Sequence, residues 1–215
     1  MRLGPVDPSF AQPRRELAIC AVAVIVGVAL VIATAIFSGP RATDTSRFLA
    51  RQMFFSALSL LPIAVVIALR LTSSYVGLQR NAGRAIALGG ALALLWIAGS
   101  GDLGILLSGP SPDQLRLLLA FASVGLAEEI AYRGVIQPRA VAAFGRWRGT
   151  FGTAAFFALL HIPQRLFVGT AAVDLVQQLL IVFVIGMALG VVMRVAGNVF
   201  AGALLHTAID WTGNL

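Results

Sequence analysis

Residues 17–37 read LAICAVAVIVGVALVIATAIF, an uninterrupted run of 21 residues without a charged side chain. A membrane-crossing α-helix needs about 20 consecutive apolar residues, so this run predicts a transmembrane helix. Its segment Ala33-Thr34-Ala35 has the small-x-small form of a signal-peptide cleavage site. The run is longer than the apolar region of a usual signal peptide, and we therefore expect an uncleaved first span.

Six further apolar segments follow, and the composition agrees with them. Of the 215 residues, 59% are hydrophobic and only 12% are charged, whereas about 25% of the residues of a soluble domain are charged. The segments lie at about residues 48–71, 85–107, 113–136, 149–162, 173–195 and 198–211. We expect Pro62 to kink the second span, a break near residues 99–101, and Pro138 to stop the fourth span. The sequence thus predicts an all-α, polytopic transmembrane helical bundle with about seven spans.

The distribution of arginines predicts the orientation of this bundle. All 16 basic residues are arginines. If the N-terminus is cytoplasmic, ten arginines lie on the cytoplasmic side, five lie outside and one lies in the fourth span. The positive-inside rule favours this orientation. The inside set includes a basic connector after the fourth span, with Arg139, Arg146 and Arg148. We expect a multi-pass protein of the cell membrane, with the lipid bilayer as its surroundings. The arginines do not cluster on one face, so a nucleic-acid partner is not expected.

Two of the three glutamates are adjacent in an apolar helix, Glu128 and Glu129, in the segment GLAEEIAYRG of residues 125–134. An ionised side chain at the bilayer centre costs about 2.5–3.5 kcal/mol, so such residues indicate a functional site. The i,i+4 spacing lets Glu129 pair with Arg133. Glu128 projects about 100° away from Glu129 and has no helical partner. We interpret Glu129 as the orienting carboxylate and Glu128 as the one that handles protons; a purely structural ion network is the alternative.

Both histidines of the chain lie in the same apolar half. His161 ends the segment FALLH, and His206 begins HTAID, which places Asp210 one turn later on the same helix face. Glu128 and His161 each lie about 16 residues from the centre of the connector between the fourth and fifth spans, so an antiparallel hairpin brings them to similar depth. A carboxylate beside a histidine can activate water, and a second histidine can stabilise an oxyanion. Glu128, His161 and His206 could instead bind zinc.

Three motifs in this half resemble those of the CPBP intramembrane proteases, the family that includes the CAAX prenyl endopeptidases and the Abi proteins. They are Glu128-Glu129-x-x-x-Arg133, Phe157-x-x-x-His161 and His206-x-x-x-Asp210. The resemblance covers about residues 113–213. It implies that this part is a catalytic helical core that hydrolyses a peptide bond of a peptide or protein substrate, beside a three-helix membrane region at residues 1–112.

The resemblance also implies a role for each residue. Glu128 with His161 would activate the water, His206 with Asp210 would form the oxyanion site, and the ion pair of Glu129 would hold the geometry. Many members have Asn where this chain has Asp210. An ionised Asp is a poor oxyanion donor, so Asp210 would have to be protonated, orient His206 or bind metal. The glutamate-type mechanism needs no cofactor; zinc on Glu128, His161 and His206 is the alternative.

Two other functions are compatible with charged residues at membrane depth. An ion- or proton-coupled transporter also needs carboxylates and histidines there, although no inverted repeats are evident in the sequence. The other alternative is a catalytically inactive member that acts as an immunity protein or scaffold. All of the motif residues are present, which favours an active enzyme.

Overall fold

The protein is built from helices joined by short connections. The computed structural model describes residues 10–37, 56–57, 60–69, 71, 76–78, 81–167 and 169–215. The helices within those residues are, in chain order, α1 (Pro13–Phe37), α2 (Leu61–Ala68), α3 (Ala82–Ser100), α4 (Leu103–Ser108), α5 (Pro112–Glu128), α6 (Gln137–Phe144), α7 (Arg146–Leu159), α8 (Ile162–Phe167), α9 (Ala172–Ala196) and α10 (Val199–Thr212). A π-helical segment, Glu129–Ile136, joins α5 to α6. The expected all-α fold is confirmed for the described part of the chain.

Three of these helices are long and apolar enough to cross a membrane. The candidate spans are Pro13–Ala33, Ala82–Ser100 and Ala172–Ala196, with mean hydropathies of 2.8, 1.6 and 2.6. They correspond to the first, third and sixth expected spans. Large apolar side chains point away from the protein on these helices, with Val173 82% and Leu95 70% exposed. Helices that are apolar on their outer faces as well are typical of a lipid environment.

The expectation that Pro138 ends the fourth span is wrong. The π-helical segment Glu129–Ile136 continues directly into α6, and Pro138 lies in the first turn of α6. Proline lacks an N–H group and clashes with the carbonyl four residues earlier in a regular α-helix. The preceding π-helical turns have i→i+5 hydrogen bonds, and their wider ring accommodates the proline without a break.

The expected basic connector is therefore helical, and one of its arginines is not a loop charge. The Arg139 side chain is completely buried, and its Nε lies 3.3 Å from Oε2 of Glu16 in α1. Arg146, the first residue of α7, is exposed as expected. The burial of Arg139 follows from its pairing, because a buried cation requires a counter-charge.

Other proline and glycine positions agree with the expectations to different degrees. The break expected near residues 99–101 occurs at Gly101, which adopts a φ of 90° that favours glycine. Pro62 lies in the first turn of α2, a position where proline is well tolerated. The kink expected there involves residues 58 and 59, which lie outside the described residues. Residues 48–55 of the second expected span lie outside the described residues. Helix α7 ends at Leu159, three residues before the end at residue 162 that was expected for the fifth span.

Close packing of α9 on α7 depends on two glycines. A Cβ atom at Gly190 would lie 2.9 Å from Cγ2 of Thr150, and one at Gly186 would lie 3.3 Å from Cβ of Ala154. Small residues at this spacing let membrane helices approach closely. The Gly186-x-x-x-Gly190 pattern thus brings the backbone of α9 next to the helices that carry the charged motifs.

Helix α10 lies between α3 and α5. A Cβ atom at Gly89 of α3 would lie 2.6 Å from Cα of Ala201, so these two helices are in backbone contact. Asn198 caps the start of α10 by accepting a hydrogen bond from the amide of Phe200 at 3.0 Å. The indole N–H of Trp211 donates to the carbonyl oxygen of Gln114 at 3.0 Å and fixes the other end. The middle of α10 is thereby held inside the bundle.

Helix α1 belongs to the same bundle as the half that carries the motifs. Cys20 and Val24 are buried in one apolar cluster with Tyr132 and Phe157. The Glu16–Arg139 ion pair fixes the start of α1 against α6. The packing of this helix against the motif-bearing half is therefore specific.

Candidate active site

The two adjacent glutamates lie where the α-helix changes into the π-helical segment. Glu128 is the last residue of α5, and Glu129 is the first residue of the π-helical segment. Glu129 Oε1 lies 3.0 Å from Nη1 of Arg133, and both side chains are completely buried. The i,i+4 pairing expected from the sequence is present. π-Helical turns within α-helices often occur at functional sites.

Arg133 has two further contacts that hold it in place. Its Nη2 donates to the carbonyl oxygen of Gly186 at 3.3 Å. Its guanidinium carbon lies 4.4 Å above the centre of the Phe157 ring, a cation–π distance. The ion pair therefore ties the π-helical segment to both α7 and α9, and it stabilises Glu129 as a fixed charge.

His206 is the centre of the charged cluster. Its Nδ1 lies 3.3 Å from Oε1 of Glu129. Its Nε2 lies 3.8 Å from Oε2 of Glu128 and 3.6 Å from Oδ2 of Asp210. Three carboxylates thus face the two nitrogens of one imidazole ring, which is itself only 6% exposed.

Close contact between α10 and Glu129 depends on Gly202, which lies one helical turn before His206. A Cβ atom at this position would collide with Oε2 of Glu129. The sequence interpretation did not assign Gly202 a role. Its i,i+4 spacing from His206 is the signal that could have identified it, because residues at this spacing share one helix face.

His161 is held by a hydrogen bond to its own helix. Its Nδ1 lies 2.8 Å from the carbonyl oxygen of Phe157. A carbonyl oxygen only accepts hydrogen bonds, so Nδ1 carries the hydrogen, and Nε2 is the nitrogen free to act as an acceptor. The Phe157 ring packs edge-on against His161 at 4.7 Å and against His206 at 6.1 Å, measured between ring centres. Phe157 therefore separates and orients the two imidazoles.

The arrangement of these residues differs in one respect from the expected roles. The sequence interpretation paired Glu128 with His161, whereas the structure brings Glu128 next to His206. No ion-pair contact of 4.0 Å or less joins Glu128 to His161, both of which are described residues. His161 faces the same cleft as His206, so the two histidines contribute to one site.

A cleft with a volume of about 180 Å³ opens beside the cluster. Its lining combines apolar side chains of α9 and α10 with five polar residues, His161, Arg165, Gln178, His206 and Asp210. Neither Arg165 nor Gln178 was assigned a role in the site from the sequence. An apolar cleft with a few convergent polar groups is the usual form of a small binding site.

The side chains of the site are not grouped in the way that a metal ion requires. Among the residues that the structure describes, no group of three or more His, Cys, Asp or Glu side chains is arranged to hold one. Both nitrogens of His206 already face carboxylates. A zinc-binding histidine is neutral and directs one unprotonated nitrogen at the metal, so this arrangement fits a hydrogen-bonded imidazole better than a zinc ligand.

Comparison with known proteins supports the family resemblance of the second half of the chain. No curated protein and no solved structure significantly matches the chain. The family model described as type II CAAX prenyl endopeptidase Rce1-like matches residues 110–212. This region contains all of the predicted site residues, from Glu128 to Asp210. Residues 110–212 are thus similar to the Rce1-like family, which supports a CAAX protease-like family for this part of the chain.

Proposed function

We propose that the protein is an intramembrane endopeptidase in which Glu128 activates the hydrolytic water. The contrast between the two adjacent glutamates carries this proposal. The Glu129 side chain has no exposed surface and is paired with Arg133, whereas the Glu128 side chain is 23% exposed. A general base must be within hydrogen-bond reach of the proton that it abstracts. Of the two glutamates, Glu128 is the one that water can reach.

In the proposed reaction, Glu128 accepts a proton from water and later passes it to the departing nitrogen. The Glu128 carboxylate takes a proton from water while the water oxygen forms a bond to the carbonyl carbon of the substrate. His161 Nε2 accepts a hydrogen bond from the same water and orients it, because its Nδ1 hydrogen is committed to the Phe157 carbonyl. When the C–N bond breaks, Glu128 returns the proton to the departing nitrogen. The products are a carboxylic acid and an amine, and transfer of the remaining water proton between them gives a carboxylate and an ammonium group, while Glu128 is ionised again.

The developing oxyanion is proposed to accept a hydrogen bond from His206. Carboxylates at both ring nitrogens favour an imidazolium, which donates from both. Asp210 Oδ2 lies 3.6 Å from Nε2 of His206. Of the three roles considered for Asp210, this position supports the orientation of His206. A donor that is oriented before the reaction is the most effective form of oxyanion stabilisation.

We propose that this reaction needs no resident metal ion. The two carboxylates and the hydrogen-bonded imidazoles supply a base and a donor without one. Chelator-washed protein is expected to keep its activity, and elemental analysis is expected to find no stoichiometric zinc. Loss of activity on stripping, with recovery on addition of zinc alone, would replace this proposal with a zinc site at Glu128, His161 and His206.

The finer membrane topology is also a proposal. We propose about seven spans in the cell membrane, a cytoplasmic N-terminus, a three-helix region at residues 1–112 and a catalytic core at residues 113–213. The Glu16–Arg139 ion pair supports this topology, since it puts the start of α1 at the same end of the bundle as the α6–α7 connection. An Arg146→Cys probe, in a chain whose single native cysteine is buried, is expected to react only from the cytoplasmic side. Labelling of intact cells by an impermeant reagent would contradict the orientation.

A proteolysis assay separates the proposed enzyme from its alternatives. The purified protein, reconstituted in liposomes, is incubated with degenerate peptide libraries that carry an unmodified or a prenylated cysteine. We expect cleavage by the wild-type protein and a loss of about 10²–10⁴-fold in Glu128→Gln. Asp113→Asn is the matched control, because this carboxylate is 73% exposed and lies at the start of α5. Ion flux without cleavage would favour the transporter, and neither activity would favour the inactive scaffold.

A further inference from the structure

Four exposed arginines lie at the starts of two helices. Arg14 and Arg15 are in the first turn of α1, and Arg146 and Arg148 are in the first turn of α7. The buried ion pair between α1 and α6 brings the two starts together, because α6 leads directly into α7. The four arginines therefore share one end of the bundle, although they come from opposite halves of the sequence. The sequence predicted a common side of the membrane for them, but not a common surface.

Exposed aromatic rings lie among these arginines. The guanidinium carbon of Arg14 lies 5.8 Å from the centre of the Phe144 ring, and that of Arg146 lies 5.4 Å from the centre of the Trp147 ring. Both rings are exposed, and so is Phe151, which lies one turn after Trp147 and continues the apolar outer surface of α7. Aromatic side chains and arginines at a helix end are typical of the level at which lipid chains meet the headgroups. We define the basic surface by its six residues, Arg14, Arg15, Phe144, Arg146, Trp147 and Arg148.

No acidic side chain balances the basic surface within the described part of the chain. None of its four arginines forms an ion pair of 4.0 Å or less with a described residue. Glu16, the acidic residue of α1, is buried and paired with Arg139. The exposed Asp113 and Asp174 begin α5 and α9 at the opposite end of the bundle, since α5 runs toward α6 and α9 runs antiparallel to α7. The charge of the bundle is therefore polarised, which favours an anionic partner at the basic surface.

We propose that the basic surface binds the headgroups of anionic phospholipids in the leaflet that borders this end of the bundle. A guanidinium group presents several donors in a planar fork that matches a phosphate group. The neighbouring rings and the apolar side of α7 can pack against the acyl chains, whereas a soluble polyanion such as a nucleic acid would leave them uncovered. Clusters of four or more basic residues beside a membrane helix are typical of anionic-lipid binding.

This inference goes beyond the proposed peptidase. None of the six residues of the basic surface lines the cleft beside His206. Lipid binding therefore acts on how the bundle is anchored and oriented in the bilayer, and not on the hydrolysed bond. It would hold equally for a transporter or an inactive scaffold.

The experiment measures lipid binding to the full-length protein in a neutral detergent. Native mass spectrometry of protein titrated with short-chain phosphatidylglycerol or short-chain phosphatidylcholine gives a Kd for each lipid. The variants are Arg146→Gln, the double variant Arg14→Gln/Arg146→Gln and the charge-preserving Arg14→Lys/Arg146→Lys. Arg116→Gln is the matched control, because it removes an exposed arginine at the opposite end of the bundle. Free glycerol phosphate and a short single-stranded oligonucleotide are tested as competitors of phosphatidylglycerol.

We expect each arginine to contribute about fivefold to the affinity for phosphatidylglycerol. Arg146→Gln should therefore weaken this binding about fivefold and the double Gln variant about 25-fold, while the Kd for phosphatidylcholine stays unchanged. The double Lys variant should keep most of the binding, Arg116→Gln should bind like wild type, and neither competitor should displace the lipid. Melting temperatures should stay nearly unchanged in all variants, since the substituted side chains are exposed.

Any of four results would overturn the proposal. Equal affinity of wild type for the two lipids would show that the headgroup charge is not recognised. An equal loss of binding in Arg116→Gln would assign the effect to net charge instead of the basic surface. Displacement by glycerol phosphate would indicate a soluble phosphate ligand, and displacement by the oligonucleotide would indicate a nucleic-acid partner.

Discussion

Replacing Arg133 with methionine is expected to destabilise the protein more than any change to Glu128. Methionine keeps most of the side-chain length but leaves Glu129 as a buried carboxylate without its guanidinium partner, which lies 3.0 Å away in the native protein. Removing one partner of a buried pair costs roughly 3–5 kcal/mol. For a chain of this length, about 2–4 °C is lost per kcal/mol, so Tm should fall by about 6–20 °C. Glu129→Gln should produce a loss of the same order.

Glu128→Gln should leave Tm nearly unchanged, although activity is lost. Glu128 is partly exposed, and its contact with His206 is long, at 3.8 Å. Changes at such positions usually alter stability by about 0.5 kcal/mol or less. Arg116→Met is the matched control for Arg133→Met, because its ion pair is exposed and contributes about 0–1 kcal/mol.

Thermal unfolding of the detergent-solubilised variants, together with the Glu129→Gln/Arg133→Met double variant, tests this division. The double variant removes both charges and should be less destabilised than the sum of the single changes, by about 0.5–3 kcal/mol. Equal melting temperatures for Arg133→Met, Arg116→Met and Glu128→Gln would refute the reasoning, because they would mean that the buried ion pair has no structural role.

Three further changes have defined outcomes. Gly202→Ala should lower the free energy of unfolding by about 1–3 kcal/mol and reduce cleavage, because the added methyl group collides with Glu129. Gly90→Ala is the control, since this glycine of α3 faces open space and its substitution should not lower Tm. Equal changes in Tm for the two variants would exclude the contact with Glu129. Glu16→Gln should lower stability by about 1.5–3 kcal/mol, since it removes the charged acceptor of the buried hydrogen bond from Nε of Arg139; an unchanged Tm would show that this contact is dispensable. Intact-mass analysis should find α1 still attached, and loss of about 35 residues, as expected of a signal peptide, would contradict its role in the bundle.

Hydropathy and helix periodicity were sufficient for the fold class and for part of the site. The long apolar runs predicted α1, α3 and α9, because helix length follows from bilayer thickness. The i,i+4 rule predicted the pairing of Glu129 with Arg133, because both lie on one helix. Each of these predictions depends on interactions within a single helix, which the local sequence encodes.

Contacts between helices were predicted less well. The depth argument brought Glu128, His161 and His206 into one layer, but it assigned Glu128 to His161, whereas His206 is its neighbour. Depth fixes the height of a residue along its helix and not the direction in which it points. That direction depends on packing, and here Gly202 lets α10 approach Glu129 closely enough for His206 to reach both glutamates.

Helical periodicity also failed where the helix type changes. The interpretation of Pro138 as a stop, and of Arg139 as a loop residue, assumed that a regular α-helix precedes them. The π-helical segment Glu129–Ile136 invalidates that assumption, and local sequence does not reveal it. The burial of Arg139 follows from its partner in α1, which is 123 residues away in the chain.

The position of this transition explains why two adjacent glutamates can have different roles. Glu128 ends α5 and Glu129 begins the π-helical segment, and one imidazole contacts both, through Nε2 and Nδ1 respectively. The Glu129 carboxylate is paired with Arg133 and has no exposed surface, so it holds the His206 ring in place. The Glu128 carboxylate is paired with no guanidinium of the described residues and is 23% exposed, which is what the proton transfer proposed for it requires. In the proposed mechanism, a substitution at either glutamate should change the site in a different way: Glu129→Gln through the orientation of His206, and Glu128→Gln through the proton transfer itself.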